Sequence, residues 1–340
     1  MNNNQLTHSD LNKIDKKGMF KIYDEWPEIA KKSYNTNLEI VDFENVRDII
    51  FVGMGGSGAI GDLFSAILSK QNIHVNVVKG YLLPKTTNSN SLVIATSISG
   101  NTIETLTAIK SAKKIGCKIL GLSSGGIMEQ LCKKEKIQYR QIEKYHSPRA
   151  SFVSFLYSMI KILDSQIPIK ENEIKNSIRE LEITRKNISS NNLKSSNKAL
   201  NLANFITGIP VIYYPWGLQT AAIRFKNTLQ ENSKIHAIAE DVVEASHNGI
   251  VSWERKINAN PIFIQGVDDY IKTKQRWKIF EKYFNSKKIK FKKINSVEGD
   301  ILSKLTNLIY QLDYTSLYLA IIKKVDPTPV KSIEYIKKLL

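Results

Sequence analysis

Cysteine is scarce in this chain of 340 residues, with only Cys117 and Cys132 present. Two cysteines cannot build a disulfide framework and neither belongs to a C-x-x-C pair, so both read as buried apolar positions. Histidine is almost as sparse: His8, His74, His146, His236 and His247 are dispersed, with no H-E-x-x-H pair or similarly dense ligand spacing. A metal-free mechanism is therefore expected. Long apolar runs are missing too, since nothing approaches the roughly 18 residues of a membrane span. The N-terminus, MNNNQLTHSD, lacks the charged-then-apolar layout of a secretory signal. These absences lead to the expectation of a cytoplasmic protein without a membrane partner.

What is present suffices for one large or two ordinary domains, because 42% of the residues are hydrophobic. Lysine and arginine number 49 against 32 acidic residues, a net charge of +17. Such an excess suits nucleic acid, a membrane surface or an anionic small molecule. Here the basic residues are scattered over the whole length, often beside asparagine, as a compositional bias would leave them. Nucleic acid is not expected as a partner.

After a polar helical stretch from Leu11 to about Asn45, short β-rich runs alternate with helical ones, the grammar of βαβ units. Strands are expected at Asp48–Val52, Val75–Val78, Leu92–Thr96, Lys118–Leu122 and Ile137–Ile142. They are mostly apolar without clean alternation, as in a parallel sheet covered on both faces. A Lys, Asn, Ser and Glu mixture from Ile167 to about Leu200 reads as a linker, helical and then loose. A second alternation follows, with strands at Pro210–Tyr214, Ile235–Ala239, Pro261–Gln265 and Ile289–Ile294, and helices at Asp269–Asn285, Ile301–Lys323 and Val330–Leu339. The expected fold is α/β: two tandem doubly wound domains, each a mainly parallel sheet flanked by helices. The expected boundaries are an N-terminal helical segment (1–45), a first domain (46–165), a helical linker (166–205) and a second domain (206–340).

Directly after the first strand, Gly53-Met54-Gly55-Gly56-Ser57-Gly58 satisfies G-x-G-x-x-G in its strand-to-helix context. A dinucleotide site is one reading, but it wants an acid near the end of the second strand, where this chain has Val78-Lys79-Gly80. A second loop favours another reading. Thr96-Ser97-Ile98-Ser99-Gly100-Asn101-Thr102 follows the third strand and opens a helix, offering hydroxyls, a glycine for close approach and free helix amides. In an open α/β sheet both loops face one crevice. Together they make a cradle for a phosphomonoester.

The runs GMGGSG, SISGNTIETL, SPRAS, KNTLQENSK, ASHN and VDPTPVKSIEYIKKLL, in that order, resemble the bifunctional phosphoglucose/phosphomannose isomerase family of the sugar-isomerase (SIS) fold. The likeness runs from about Ile49 to the C-terminus. It implies that Ser57, Ser97, Ser99 and Thr102, with Gly56 beside them, bind the substrate phosphate. It implies Glu231 as general base, Arg149 as charge stabiliser, and His247 and Lys337 as the ring-opening pair, without saying which takes which step. It further implies a hexose 6-phosphate substrate and a homodimer whose active site is shared, the histidine crossing the interface. One position departs: Val330 stands where a family member has a threonine associated with accepting mannose as well as glucose stereochemistry.

The implied chemistry suits these residue types. A carboxylate such as Glu231 can move a proton between neighbouring carbons through a cis-enediol, provided partial burial tunes it. Arginine stays protonated and offers directed donors to an enediolate oxygen; Pro148 is expected to fix entry into a helix from Ala150 to Leu163. His247 has an intrinsic pKa suited to proton transfer, with Glu244 and Asn248 as candidate orienters. Apolar Ile333, Ile336 and Leu340 are expected to turn the helix of Lys337 toward the body. Trp216 and Trp253 read as packing. The expected activity is interconversion of glucose 6-phosphate, and also mannose 6-phosphate, with fructose 6-phosphate, without a cofactor. The alternatives are a non-catalytic phosphosugar sensor of the same fold, although residues 1–45 show no helix-turn-helix to go with it, and a dinucleotide-dependent oxidoreductase.

Overall fold

The structure, a computed structural model, describes residues 6–340. They divide into two compact units, one of Glu25–Ile178 and one of the residues up to Asp24 together with Arg179–Leu340.

The Glu25–Ile178 unit is organised by a five-stranded sheet of β1 (Asp48–Val52), β2 (His74–Val78), β3 (Ser91–Ser97), β4 (Lys118–Ser123) and β5 (Gln138–Gln141). Every pairing is parallel and the order is β2-β1-β3-β4-β5. All of β3 is buried, as an apolar strand covered on both faces should be. Ile50, Val52, Val93 and Ala95 meet Leu106, Ile109, Ala112, Met128 and Cys132 in one core cluster. Cys132 is fully buried and burial pushes its thiol up to about 11, so it behaves as an apolar side chain; Cys117 is half-buried.

The second unit holds β6 (Ile209–Tyr214), β7 (Ile238–Asp241), β8 (Ala259–Gln265) and β9 (Lys292–Asn295), all parallel in the order β7-β6-β8-β9. This repeats the order of the first four strands of the other sheet, and the expected pair of parallel α/β sheets is what the chain forms. One face is filled by aromatics: Phe263 lies 4.8 Å from Phe291 between ring centroids and 5.4 Å from Phe284, and Trp253 Nε1 donates to Tyr213 Oη at 2.7 Å. Trp253 is packing, as expected. Trp216 is not, being 76% exposed in a short turn after β6.

The backbone of this second unit is the helix Ile301–Ile322, capped by Asp300, which accepts from Ser303 N at 2.7 Å. It is buried almost throughout and packs against the helices His8–Ile14, Met19–Asp24, Lys198–Phe205 and Gln219–Asn232. Tyr310, Tyr314 and Tyr318 recur on it at helical spacing, each fully buried, which their hydroxyls tolerate only by finding partners. Tyr310 donates to Tyr23 O at 2.6 Å, Tyr318 to Ile188 O at 2.7 Å, and Tyr314 to the Asp24 carboxylate.

Several expectations are corrected. The helical stretch from Leu11 to Asn45 ends at Asn35 and is shared between the units. Leu11, Met19 and Tyr23 are buried in the unit of the long helix, whereas Trp26, Ile29 and Ala30 serve the helix Trp26–Asn35, which packs on Phe152–Ile162. The helical linker expected at 166–205 holds the helices Glu171–Ile188 and Lys198–Phe205, the second falling where a loose end was expected, with Ile174, Leu181, Ile188, Leu200 and Leu202 buried. Strands β7 and β9 each start three residues later than expected. In both cases the preceding helix closes through a lysine at positive φ, Lys234 (55°) or Lys288 (56°), and the next N–H turns back to the last helical turn, Ile235 to Leu229 O and Ile289 to Phe284 O. Residues that looked like strand are spent on helix exits.

Asn197 fixes the turn between these two helices. It is fully buried, caps the helix Lys198–Phe205 by accepting from Leu200 N at 2.9 Å, and donates to Asn192 O and Ile188 O at 2.7 and 3.1 Å. Replacing Asn197 by Ala should cost about 2–4 kcal/mol, since a cap is lost and buried carbonyls are stranded. Urea unfolding of the two proteins should show the lower midpoint with an unchanged slope.

Candidate active site

Five of the predicted site residues come together at the carboxyl ends of β1 and β3, the neighbours at which the strand order reverses. The register pairs Val52 with Ala95, so Gly53 lies beside Thr96. A Cβ on Gly53 would stand 3.0 Å from Thr96 O and 2.9 Å from Ser57 Cβ, which is why glycine opens this turn. Gly55, at φ 54°, precedes the helix Gly56–Leu68, whose first residues are Gly56 and Ser57. Ser57 is 7% exposed, and its Oγ accepts from Ile98 N at 3.3 Å, tying the first loop to the second.

In the second loop Ser97 Oγ and Thr102 Oγ1 are 2.8 Å apart, and Asn101 N donates to Ser99 Oγ at 3.3 Å. Thr102 is the N-cap of the helix Ile103–Ile115, yet its hydroxyl is engaged with Ser97 and makes no capping bond. Two helix N-termini and four hydroxyls thus gather at one strand edge, with amides and dipole ends to stabilise a phosphate dianion. At the end of β2, where a dinucleotide site holds an acid, Lys79 Nζ lies 2.5 Å from Asp62 Oδ2 and its methylenes pack 3.2–3.3 Å from where a Gly58 Cβ would be. Burial raises Asp62 above the usual carboxylate range and the Lys79 ammonium offsets part of that rise.

Arg149 belongs to the same unit and is 5% exposed. The expected helix from Ala150 begins instead at Phe152, because Ser147–Ser151 forms a turn of its own, with Ser151 N bonded to Ser147 O at 3.0 Å. Ser151 Oγ accepts from Tyr145 N at 2.9 Å, and Trp26 Nε1 donates to Ala150 O at 3.0 Å. A buried guanidinium on a pinned turn is a fixed charge.

Glu231, His247 and Lys337 lie in the other unit. Glu231 is half-buried in the last turn of the helix Gln219–Asn232. Its two successors are tied down: Asn232 Nδ2 donates to Ser316 Oγ at 2.9 Å and Ser233 Oγ to Ser316 O at 2.6 Å. His247 follows the helix Val242–Ala245 and is exposed. The expected orienters act otherwise, since Glu244 Oε1 accepts from Asn248 Nδ2 at 2.6 Å and meets His247 only through its carbonyl, 2.9 Å from His247 N. Lys337 stands on the helix Lys331–Leu339, which has no buried residue. Its stripe does not turn inward as expected: Ile333, Ile336 and Leu340 are 40%, 56% and 67% exposed, because no element among the described residues covers them. Among the described residues no three His, Cys, Asp or Glu side chains converge as metal ligands, and no helix is long and apolar enough to cross a membrane.

Residues 42–160 match the SIS domain family, and residues 195–340 match the bacterial phospho-glucose isomerase C-terminal SIS domain. Across 336 residues the chain is 31% identical to the bifunctional phosphoglucose/phosphomannose isomerase of Caldicellulosiruptor bescii, covering 95% of this chain and 98% of that one. The chain belongs to the bifunctional phosphoglucose/phosphomannose isomerase family. The Aquifex aeolicus protein of the same description is 30% identical, over 93% of this chain and 94% of its own. Among solved structures, a hypothetical protein from Thermus thermophilus superposes with a TM-score of 0.75 at 12% identity, covering 97% of this chain and 92% of that one; at that identity the likeness is one of fold.

For a member of this isomerase family the loop after β4 emerges as a support that sequence reasoning missed. Ser124 Oγ donates to Ile98 O at 2.6 Å, Ile127 N to Asn101 Oδ1 at 3.0 Å and Met128 N to Gly100 O at 2.9 Å, so Ser124–Met128 splints the loop after β3. The available signal was Gly125-Gly126 after a strand, at φ 127° and 79°. Gly100, at φ 72°, could not carry a side chain there, since its Cβ would fall 1.7 Å from Gly125 O. Replacing Gly100 by Ala should weaken fructose 6-phosphate binding by about tenfold or more, the loss of 1.4 kcal/mol or more from a sprung loop. Calorimetric titration of the variant with fructose 6-phosphate checks it.

Proposed function

We propose that the protein is an aldose–ketose isomerase that interconverts glucose 6-phosphate and mannose 6-phosphate with fructose 6-phosphate. The observation that carries this reading is the pair of hydroxyl-bearing loops at the adjacent ends of β1 and β3, joined by Ser57 Oγ to Ile98 N, in a chain of this family. They favour a phosphomonoester over a dinucleotide, because Lys79 occupies the position of the ribose-binding acid.

In the proposed mechanism Ser57, Ser97, Ser99 and Thr102, with the amide of Gly56, hold the phosphate and so fix the sugar. His247 and Lys337 open the ring between them, one protonating the ring oxygen and the other taking the anomeric proton. Glu231 as carboxylate then removes the C1 proton of the ketose, the electrons move into the C1–C2 bond, and the C2 oxygen gains negative charge. Arg149, permanently protonated and buried, stabilises that oxygen. Transfer of the O1 proton to O2 moves the charge to O1; as the C1–O1 double bond forms, the C1–C2 double bond takes the proton back from Glu231 at C2 to give the aldose, and the face of C2 that receives it sets glucose or mannose. All of these steps are proton transfers among side chains and sugar, so no resident cofactor is called for.

We further propose a homodimer in the cytoplasm with its site shared between subunits. The exposure of His247 and of the whole terminal helix in the single chain is what supply across a subunit interface would require. The sensor alternative has less support. Helices His8–Ile14 and Met19–Asp24 are spent on packing, with Leu11, Met19 and Tyr23 fully buried, and are not free to enter a DNA groove.

Fructose 6-phosphate should yield both glucose 6-phosphate and mannose 6-phosphate, quantified separately by coupled assays; glucose 6-phosphate alone would show that Val330 narrows the specificity. Glu231→Gln should keep substrate affinity and lose roughly 10²–10⁴-fold in turnover. Its exchange of deuterium into C2 should fall in parallel. Retained turnover would remove the proposed base, and phosphosugar binding without turnover in the wild type would favour the sensor.

A further inference from the structure

Deep in the second unit, Arg224 and Asp313 form a buried ion pair that nothing in the proposed reaction uses. Arg224 is 2% exposed and Asp313 fully buried. Asp313 Oδ2 accepts from Arg224 Nη2 at 2.5 Å, from Arg224 Nε at 3.2 Å and from Tyr23 Oη at 3.2 Å. Desolvating two charges removes most of what their attraction gains, so such a pair is poor at explaining its own presence by stability.

Its location supplies a reason. Arg224 sits seven residues before Glu231 on the helix Gln219–Asn232, two turns away on the same face. Asp313 is on the helix packed against it, and Ser316, one turn beyond Asp313, holds the side chains of Asn232 and Ser233. Ser316 Oγ donates back to Asp313 O at 2.7 Å. The helix that ends in Glu231 is thus gripped on both sides of that residue by a single stretch, Asp313–Ser316. We infer that Arg224 and Asp313 are positioning residues for Glu231, fixing where its carboxylate stands and the field in which it exchanges a proton. This rests on the reading of Glu231 as the base.

The surrounding charges are few. Burial raises Asp313 above the usual carboxylate range; Arg224 and Tyr23 offset part of this, and the negative charge of Glu231 adds to the rise. Lys234, on the turn after Glu231, is held by the carbonyls of Glu231 and Pro327. On β7, packed on the same helix, Asp241 caps Val242–Ala245 and Glu240 is raised by burial.

Asp313→Asn keeps the shape and leaves Arg224 uncompensated. The acid limb of kcat/KM should move to lower pH by about half a unit or more, and kcat should fall about tenfold with KM changed less than about twofold. Because Asp313→Asn can compromise folding, the double variant Arg224→Met/Asp313→Leu, which removes both charges, is measured beside it and should retain the melting temperature while losing kcat. Lower stability with kcat and the pH profile of the folded enzyme unchanged in both variants would reduce the pair to a structural prop and overturn the inference. Glu231→Gln is the control: if it still turns over, the base reading falls and the inference with it. If it is inactive while Asp313→Asn leaves the profile unmoved, the inference alone falls.

Discussion

The parallel pairing of β1 with β3 is the constraint on which the proposed phosphate cradle depends. Once Val52 stands opposite Ala95, the two chains leave the sheet side by side and in the same direction, and their loops share one edge. Everything else there is a consequence of crowding. Glycine is required at Gly53 because Thr96 O is already there, and at Gly100 because Gly125 O is already there. The same closeness lets Ser57 accept from Ile98 N, so two segments more than forty residues apart behave as one surface. The strand interiors give this edge its rigidity, with β3 buried from end to end.

How much of this could be read in the sequence follows from how local each signal is. The cradle was legible because glycines, hydroxyls and a helix start fall within seven consecutive residues in each loop, and the strands before them are unmistakably apolar. The third loop, at Ser124–Met128, was not, since its function lies in bonds to Ile98, Gly100 and Asn101, which no spacing rule announces. The starts of β7 and β9 were misjudged because Lys234 and Lys288 take a backbone conformation usually reserved for glycine. The terminal helix shows the limit of periodicity: its apolar stripe is real, but amphipathicity says only that a face wants covering, not what covers it.

The two sheets share a strand order yet treat their crevices differently. After β1 comes Gly53-Met54-Gly55; after the equivalent β6 comes Pro215-Trp216-Gly217. Proline has no amide to offer and the indole of Trp216 stands out in solvent, so the second edge has no comparable anion cradle. The candidate groups of its unit, Glu231 and Lys337, stand on helices instead. A repeated architecture has kept its frame, and in the proposed mechanism it divides binding groups from proton-transfer groups.

The long buried helix has a consequence for how the molecule is made. The bond from Tyr23 to Asp313 joins residues 290 positions apart, while the Glu25–Ile178 unit is complete in an uninterrupted stretch of chain. During synthesis that stretch can fold as soon as it leaves the ribosome. The helices His8–Ile14 and Met19–Asp24, made earlier, must wait with Leu11, Met19 and Tyr23 uncovered until Ile301–Ile322 emerges. Helices made before the Glu25–Ile178 unit are therefore among the last to find their place.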